Sequence, residues 1–574
     1  MEEDYAAHLV SITSQGQLMA WLTALESGGE ERRRAIDCLA QLHRTRRIDV
    51  FEHLQRPSCA DERRVDHGSW TRVYRDLFPL LDDDARRVVS AAVLLGTTLW
   101  APTFHEAFLD WCMGDSRRID EVLALEPIPE VPDFCFAAAL IAGLRTDPAA
   151  YLDAAVAYAR GNRRSRMPGI RAIGAMSVQN DAAVRRAVTV LGGVLDDAHA
   201  AVGDRADALT AALEVAQRCA GPLDGPVSEM VARATAYEQA ELLQACCHIL
   251  ARFDPPLRDG LLPCLLEALR ALDIDAPEAR STADMAIYSL FAHGRTEEAL
   301  ASLATLLRKS KVHDTLDALS LTAHYLANPA ANLLPVVTCR WLMTGDRALC
   351  AAARHLLTSR GDQKLKFDFD PGNRDWPDGR TLYLARKAIG WLMPHGTAPA
   401  SFLICLLRAA SEDAAKELGE LLFDPLLVNY PLATRAYLEE VCQSLPAEAK
   451  VCVEAVLARD ALYKQAIEDV GFVPELQPTE RHRWIEAKRR AEEWAKAGRE
   501  AEGKSVLAHL ATRQTLLYGT RAINYVDDPG GGTRRLDNRL KTFSYTADNA
   551  MSWVYDPFGL DYMLRVFRAE QSPE

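Results

Sequence analysis

Apolar residues recur every three to four positions from residue 181 to residue 310, with Gly and Pro breaks between the segments. In the first segment the apolar positions are Val184, Ala187, Val188, Leu191 and Leu195. Because an α-helix turns once in about 3.6 residues, these positions share one face. The pattern predicts a series of short amphipathic helices.

The same spacing restarts after each break. The later segments carry Leu209, Leu213 and Ala216, then Leu242, Cys246, Ile249 and Leu250, then Leu261, Leu265 and Leu269. Pro255 and Pro256 separate the last two segments, because proline lacks an N–H donor and fixes φ. A helix of three or four turns with one apolar stripe is marginal alone in water. We therefore expect these helices to pack on their neighbours in sequence, as they do in solenoids.

Two segments resemble known helical repeats. Residues 293–308, HGRTEEALASLATLLR, resemble the turn and second helix of a tetratricopeptide-type hairpin, and residues 181–195 are similar to HEAT-type units. The resemblance covers these segments and not the whole chain. It implies stacked helical hairpins of the α-solenoid class and carries over no binding residues.

We predict a mainly α fold, an α-solenoid-like stack of helical hairpins with a small C-terminal β-hairpin. The segments are an irregular N-terminal helical region (1–160), a helical-repeat array (161–360), an insertion loop (361–380), a helical continuation (381–475), a long charged helix (476–517) and a C-terminal β-hairpin with a short helix (518–574). In the first region, the aromatic residues with helical spacing are expected in the core: Trp100, Phe104, Phe108 and Trp111.

In the insertion loop the spacing of apolar residues is no longer helical. From Lys364 to Asp370 polar and apolar residues alternate as in a β-strand, and turn residues follow. Four carboxylates of this loop are candidate ligands for a hard cation such as Ca²⁺ or Mg²⁺: Asp368, Asp370, Asp375 and Asp378. Their spacing matches no EF-hand loop, because the closing glutamate is absent. We favour an ordered or partner-contacting surface loop, with no cofactor, over a cation site.

The long charged helix has a narrow apolar side. Thr479 is a candidate N-cap after Pro478. The stripe of Trp484, Ala487, Ala491 and Trp494 ends at Gly498 and is surrounded by Arg, Lys and Glu. The pattern predicts a helix that lies across a surface, outside the core.

A formal P-loop match follows that helix. The string GREAEGKS fits GxxxxGKS, in which backbone N–H groups would wrap phosphates, with candidate residues Gly498, Gly503, Lys504 and Ser505. A working P-loop follows a buried apolar strand, whereas this string follows a charged helix. Glu500 and Glu502 would also repel phosphate. We favour a helix break with a chance match over a nucleotide site.

The pattern of the C-terminal region predicts a β-hairpin. Residues 521–526 alternate like a strand, DDPGGG at 527–532 reverses the chain, residues 534–545 return, and a short helix follows at 560–568. An isolated hairpin is barely stable in water. We expect it to pack on the array or to be completed by another protein at its exposed edge. Its candidate partner-binding residues are Arg521, Tyr525, Arg534 and Arg535.

Charge narrows the class of partner. The net charge of −14 over 574 residues argues against nucleic acid, which requires concentrated Lys and Arg. One local basic cluster surrounds a Gly/Asn/Ser linker: Arg160, Arg163, Arg164 and Arg166. It is interpreted as a solvated loop, with contact to an acidic partner as the alternative.

Three features of the sequence bear on the cellular compartment of the protein. No apolar run is long enough to cross a bilayer, and the acidic N-terminus has no secretory signal. The thirteen cysteines form no CxxC pair, and several lie on apolar helical faces, where a thiol behaves as a small hydrophobe. We expect a cytoplasmic protein without a membrane segment.

These observations favour a non-enzymatic scaffold or adaptor that binds another polypeptide through its helical-repeat surface and C-terminal hairpin. Membership of a multi-protein bacterial system is compatible with that function. The alternatives are a regulatory target or sensor that a partner opens or cleaves, and an unrecognised metal- or nucleotide-dependent enzyme. The 361–380 loop and the 498–505 string are the candidate sites of such an enzyme.

Overall fold

The computed structural model forms two compact units, Met1–Leu333 and Leu334–Glu574. Their boundary lies inside the segment 161–360, which the sequence predicts to be one array. The structure describes residues 2–18, 21–22, 25, 29–53, 75–96, 101–161, 165–176, 181–218, 223–252, 259–311, 316, 318–359, 365–370, 376–471, 473, 478–503, 514–518, 521–527, 533–539 and 550–573.

The first unit is helical over its described residues. Its α-helices are α1 (Glu2–Ser14), α2 (Glu30–Arg44), α3 (Ala85–Gly96), α4 (Ala101–Met113), α5 (Ser116–Leu123), α6 (Asp133–Thr146), α7 (Pro148–Ala159), α8 (Met167–Gly174), α9 (Asp181–Asp196), α10 (Val202–Arg218), α11 (Asp224–Ala236), α12 (Ala240–Leu250), α13 (Leu262–Ala271), α14 (Pro277–Ala292), α15 (Thr296–Lys309) and α16 (Ser320–Ala327). Short 3₁₀ turns lie at Val50–His53, Phe78–Leu80 and Pro329–Ala331. The mainly α class is confirmed.

From α7 onward the helices of this unit pack in two alternating rows. Helices α8, α10, α12, α14 and α16 contact one another in that order, and α7, α9, α11, α13 and α15 do the same. Consecutive helices also contact each other across the rows, as in α9 with α10 and α14 with α15. The predicted apolar positions are buried, among them Leu191, Leu213, Cys246 and Leu265. Each helix thus buries its stripe on sequence neighbours.

Aromatic residues form part of the core near the N-terminus. Phe108 and Trp111 are fully buried in α4, as their spacing predicted. The indole nitrogen of Trp111 donates a 2.8 Å hydrogen bond to the carbonyl of Leu81, which satisfies a buried donor. Trp100 and the side chain of Phe104 lie outside the described residues.

The second unit continues with helices and ends in a small sheet. Its elements are α17 (Leu334–Thr344), α18 (Arg347–Ser359), α19 (Asp378–Leu392), α20 (Thr397–Leu407), α21 (Glu412–Leu421), α22 (Ala433–Cys442), α23 (Ala447–Val470), α24 (Glu480–Gly503), β1 (Gln514–Tyr518), β2 (Arg521–Asp527), β3 (Thr533–Arg539), α25 (Ser552–Tyr555) and α26 (Pro557–Ala569). A 3₁₀ turn spans Met393–His395, and the helical path kinks within Leu422–Leu427. Helices α17, α19, α21 and α23 contact one another in order.

The predicted strand rhythm before α19 belongs to an extended segment that forms no ladder. Leu365 and Phe367 are buried and the side chains of Lys366 and Asp368 are exposed, so buried and exposed side chains alternate as predicted. The amide of Phe367 donates to Ser401 Oγ at 2.8 Å, and the ring of Phe367 meets Phe402 edge-on at 5.2 Å. Side chains of α20 therefore provide the hydrogen bonds and packing that a neighbouring strand would give.

Helix α24 begins after the predicted N-cap, continues past Gly498, where the apolar stripe was predicted to stop, and is shorter than the segment 476–517 assigned to it. Thr479 Oγ1 accepts a 3.2 Å hydrogen bond from the amide of His482, which confirms the N-cap. The helix passes through Gly498 and reaches Gly503. A single glycine costs only about 1 kcal/mol in a helix, and the Arg, Glu and Ala that follow are good helix formers.

The predicted C-terminal two-stranded hairpin is wrong. The described residues form a three-stranded antiparallel sheet in the order β1–β2–β3, and the returning strand ends at Arg539, not Tyr545. The added strand β1 pairs Gln514 with Tyr525 and lies in the segment assigned to the charged helix. A lone hairpin leaves both strands at an edge, and the third strand completes the ladder on one side of β2.

No described helix is long and apolar enough to cross a membrane. The described cysteines are free thiols, and most of them are buried. Burial raises the pKa of the Cys246 and Cys350 thiols to about 12. These thiols therefore stay protonated and serve as core packing.

Candidate protein-binding surfaces

The predicted basic cluster is divided by the fold. Arg166 forms a 2.5 Å ion pair with Asp197. The hydrogen bond from the amide of His199 is the main cause that lowers the pKa of Asp197, and the hydrogen bond from Arg166 is the next. Arg160 is exposed just after α7. Arg163 and Arg164 lie outside the described residues. Of the two described members, Arg166 is held by its own unit and Arg160 faces solvent.

Two of the four candidate metal ligands of the insertion loop are hydrogen-bonded to side chains of the protein. Arg408 donates to Asp368 at 2.8 Å, and Ser411 Oγ donates to Asp378 at 2.7 Å. Asp370 is exposed, and Asp375 lies outside the described residues. Within the described parts of the chain no group of three His, Cys, Asp or Glu residues is placed to hold a metal ion. Two of these carboxylates therefore anchor the start of α19 and the extended segment before it to α20 and α21.

The described part of the P-loop-like string, residues 498–503, is helical. Gly498 and Gly503 both belong to α24, and Lys504 and Ser505 lie outside the described residues. Inside an α-helix each N–H bonds to the carbonyl four residues earlier. Those amides are therefore not arranged as a loop around phosphate.

The sheet brings the C-terminal candidate residues onto adjacent strands. The backbone register places Tyr525 opposite Arg535 and Val526 opposite Arg534. Arg521 is paired on both sides of the middle strand, with Tyr518 and with Arg539. The side chain of Arg535 is exposed.

The sequence did not predict where the C-terminal helix packs. Helix α26 packs on α19, and its end is fixed by a bidentate ion pair from Arg386 to Glu570, with the closest contact at 2.6 Å. Lys387 is fully buried and donates a 2.6 Å hydrogen bond to the carbonyl of Arg568. Burial lowers the pKa of this lysine. These polar contacts satisfy the end of the helix and hold it in one orientation.

Holding α26 in this orientation leaves an apolar face in solvent. Leu560 and Leu564 are buried, whereas Phe558, Tyr562 and Val566 follow a four-residue spacing on the other side and are 87%, 72% and 47% exposed. Tyr555, at the end of α25, is 76% exposed. We call Tyr555, Phe558, Tyr562 and Val566 the aromatic face. The signal was in the sequence, because α26 carries apolar residues at two sets of helical positions instead of one.

A groove of about 1000 Å³ lies between α21 and α23 in the same unit. Small residues line much of it, including Ala415, Gly419 and Ala455, and Val451 at its edge is 66% exposed. An ion pair of 2.6 Å between Arg459 and Glu420 crosses the two helices there.

No family model matches the chain, and no curated protein is similar to it. Among solved structures, one similar chain is an engineered protein whose crystal structure is known. It has 15% sequence identity and a TM-score of 0.20, and the alignment covers 77% of this chain and 98% of that one. A TM-score of this size carries no argument about the fold or the function.

Proposed function

We propose that the chain is a non-enzymatic scaffold or adaptor that binds another polypeptide. The observation that carries the proposal is the aromatic face of α26. Single exposed apolar residues are normal on protein surfaces, but a contiguous patch of large ones marks an interaction site. Tyrosine and other aromatic side chains are also enriched among the residues that dominate binding energy.

The second support is that the aromatic face is held rigidly. Arg386, Lys387 and the buried leucines fix α26 on α19 before any partner arrives. A surface that is already ordered loses less conformational entropy on binding, so more of the contact energy appears as affinity. The polar contacts of Arg386 and Lys387 thus serve recognition by orienting the aromatic side chains.

The alternating rows of helices support the finer proposal that the array belongs to the helical-repeat class, of HEAT or tetratricopeptide type. In such arrays each hairpin contacts mainly its neighbours, and the long lateral surfaces are free for other chains. The buried thiols fit a reducing, cytoplasmic compartment.

The test is capture of the native partner by the tagged full-length chain. We expect the wild-type chain to recover a stoichiometric polypeptide, and the double variant Phe558→Ser with Tyr562→Ser to lose it by at least about tenfold. Leu432→Ser is the matched control, because Leu432 is 76% exposed but lies outside the aromatic face. Equal recovery by the double variant and the control would remove the aromatic face from the proposal.

A further inference from the structure

Helix α24 exposes a stripe of large and small apolar residues. Every side chain from Glu480 to Glu500 except Glu486 is exposed among the described residues. Trp484 and Trp494 are 63% and 78% exposed, and Ala487 and Ala491 lie between them. We call these four residues the tryptophan seam. Their spacing of three, four and three residues is that of a heptad seam, which packs against another helix.

The size of the seam residues favours a helix as the occupant. Two alanines between two tryptophans leave a depression in which the side chains of a second helix fit. An interfacial membrane helix, in contrast, inserts a broad face of bulky residues into the lipid. The seam is narrow and its middle is small.

The borders of the seam are basic. With about 100° of rotation per residue, Arg483 and Arg490 fall on one border. The other border carries Arg481, Lys488 and Arg499. The acidic residues at the same spacing, Glu486, Glu493 and Glu500, lie on the opposite side of the helix. Three other acidic residues lie nearer the seam: Glu480 one turn before Trp484, Glu492 one turn after Lys488, and Glu502 at the end of the helix. Beside the central part of the seam, from Arg481 to Arg490, the borders are nevertheless basic although the chain as a whole is acidic.

Most ion pairs of α24 lie on the side away from the seam, and one, between Lys488 and Glu492, lies at a border. On the side away from the seam, Arg489 pairs with Glu486 at 3.0 Å and Lys496 with Glu500 at 3.9 Å. Lys488 lies 5.5 Å from the Trp484 ring centroid and 3.9 Å from Glu492. In the described part of the chain, no carboxylate lies within ion-pair distance of four border cations: Arg481, Arg483, Arg490 and Arg499. These four cations are available to another molecule.

We infer that the tryptophan seam binds an acidic amphipathic helix of a partner polypeptide. Apolar side chains of that helix would cover the seam, and its flanking Glu or Asp residues would pair with the basic borders. A second copy of α24 fits less well, because pairing two identical seams brings the like-charged borders together. This inference rests on the proposed function and names the chemistry of one partner segment.

The probe, called the Glu peptide, is a synthetic three-heptad helix with Leu at its a and d positions and Glu at e and g. The control, called the Lys peptide, differs only in having Lys at e and g. Binding of each labelled peptide to the full-length chain is followed by fluorescence anisotropy. We expect the Glu peptide to bind at least about tenfold more tightly than the Lys peptide, with affinity falling as salt rises. Trp484→Ala with Trp494→Ala is expected to weaken the Glu peptide by at least about tenfold.

Charge reversal separates the borders from the rest of the helix. Arg483→Glu with Arg490→Glu is expected to weaken the Glu peptide and strengthen the Lys peptide. The matched reversal on the far side, Arg489→Glu with Lys496→Glu, is expected to change neither. Circular dichroism of each variant verifies that the helix content is unchanged, so that a lost helix is not taken for a lost contact.

Several results would overturn the inference. Equal binding of the two peptides, or no effect of the tryptophan variant, removes the acidic-helix partner. Tighter binding to phosphatidylserine vesicles than to the Glu peptide assigns the seam to a lipid surface, and a dimer lost in the tryptophan variant assigns it to a second copy. If native partner capture still depends on Phe558 and Tyr562 in these cases, the proposed function stands and the inference alone fails.

Discussion

At the scale of single residues, buried polar groups in this protein join helices that are neighbours in space. Asp284 of α14 is 5% exposed, and its two carboxylate oxygens accept hydrogen bonds of 2.9 Å from the amides of Leu321 and Thr322. Those amides open α16, where the first N–H groups have no partner within the helix. Asp284 thus caps a helix to which it does not belong.

Replacing that carboxylate should destabilise the first unit. We expect Asp284→Ala to lower its unfolding free energy by about 1–3 kcal/mol, because two amides at a buried helix start lose their acceptors. Asp284→Asn should cost less, because one acceptor remains. Thermal denaturation measures both, with Asp110→Ala, an exposed position of α4, as the control. Equal stability of Asp284→Ala and the control would contradict the capping role.

Two histidines should make stability depend on pH. Burial, helped by the charge of Arg171, lowers the pKa of His105, and burial with Arg354 does the same for His395. As pH falls below the unfolded value of about 6.5, the unfolded chain takes up protons before the folded one, so the unfolding free energy decreases. We expect the melting temperature to fall between about pH 7 and 5.5, and less steeply in His105→Gln with His395→Gln. Exposed His248→Gln is the control, and an unchanged slope in the double variant would contradict this assignment.

At the scale of elements, the protein is held by helix contacts that the sequence pattern predicts and by long-range contacts that it does not. The apolar stripes of α9 to α15 could be predicted from the sequence, because a helix places residues three and four apart on one face. Strand β1 was missed because strand pairing depends on distant neighbours more than on local spacing. The packing of α26 on α19 was missed for the same reason, since Arg386 and Glu570 are 184 residues apart.

The close contact between α19 and α26 gives a prediction. A Cβ added at Gly390 would lie 3.2 Å from Phe567 Cβ and 3.3 Å from the amide nitrogen of Arg568. Valine there carries two further methyl groups, so we expect Gly390→Val to displace α26 and speed tryptic cleavage after Arg565 and Arg568 by at least about tenfold. Gly379→Val is the matched control, because among the described residues no atom beyond its chain neighbours and its own helix lies within 4 Å of its added Cβ. Equal cleavage rates would contradict the packing of α26 on α19.

At the scale of the whole chain, length predicted the division into more than one compact unit. A length of 574 residues predicted more than one compact core, and two units are found. The candidate binding residues, in contrast, were chosen from charge clusters and motif strings. Arg166, Asp368 and Asp378 turned out to hold the fold together. Exposed apolar faces depend on which face the fold buries, and that is decided by tertiary packing.

Native mass spectrometry of the protein purified from its own source shows whether this chain functions by binding another polypeptide. We predict a complex of this chain with a second polypeptide at a fixed ratio. The same measurement on Phe558→Ser with Tyr562→Ser should show the chain alone. A wild-type chain that repeatedly appears without a second polypeptide would contradict this function.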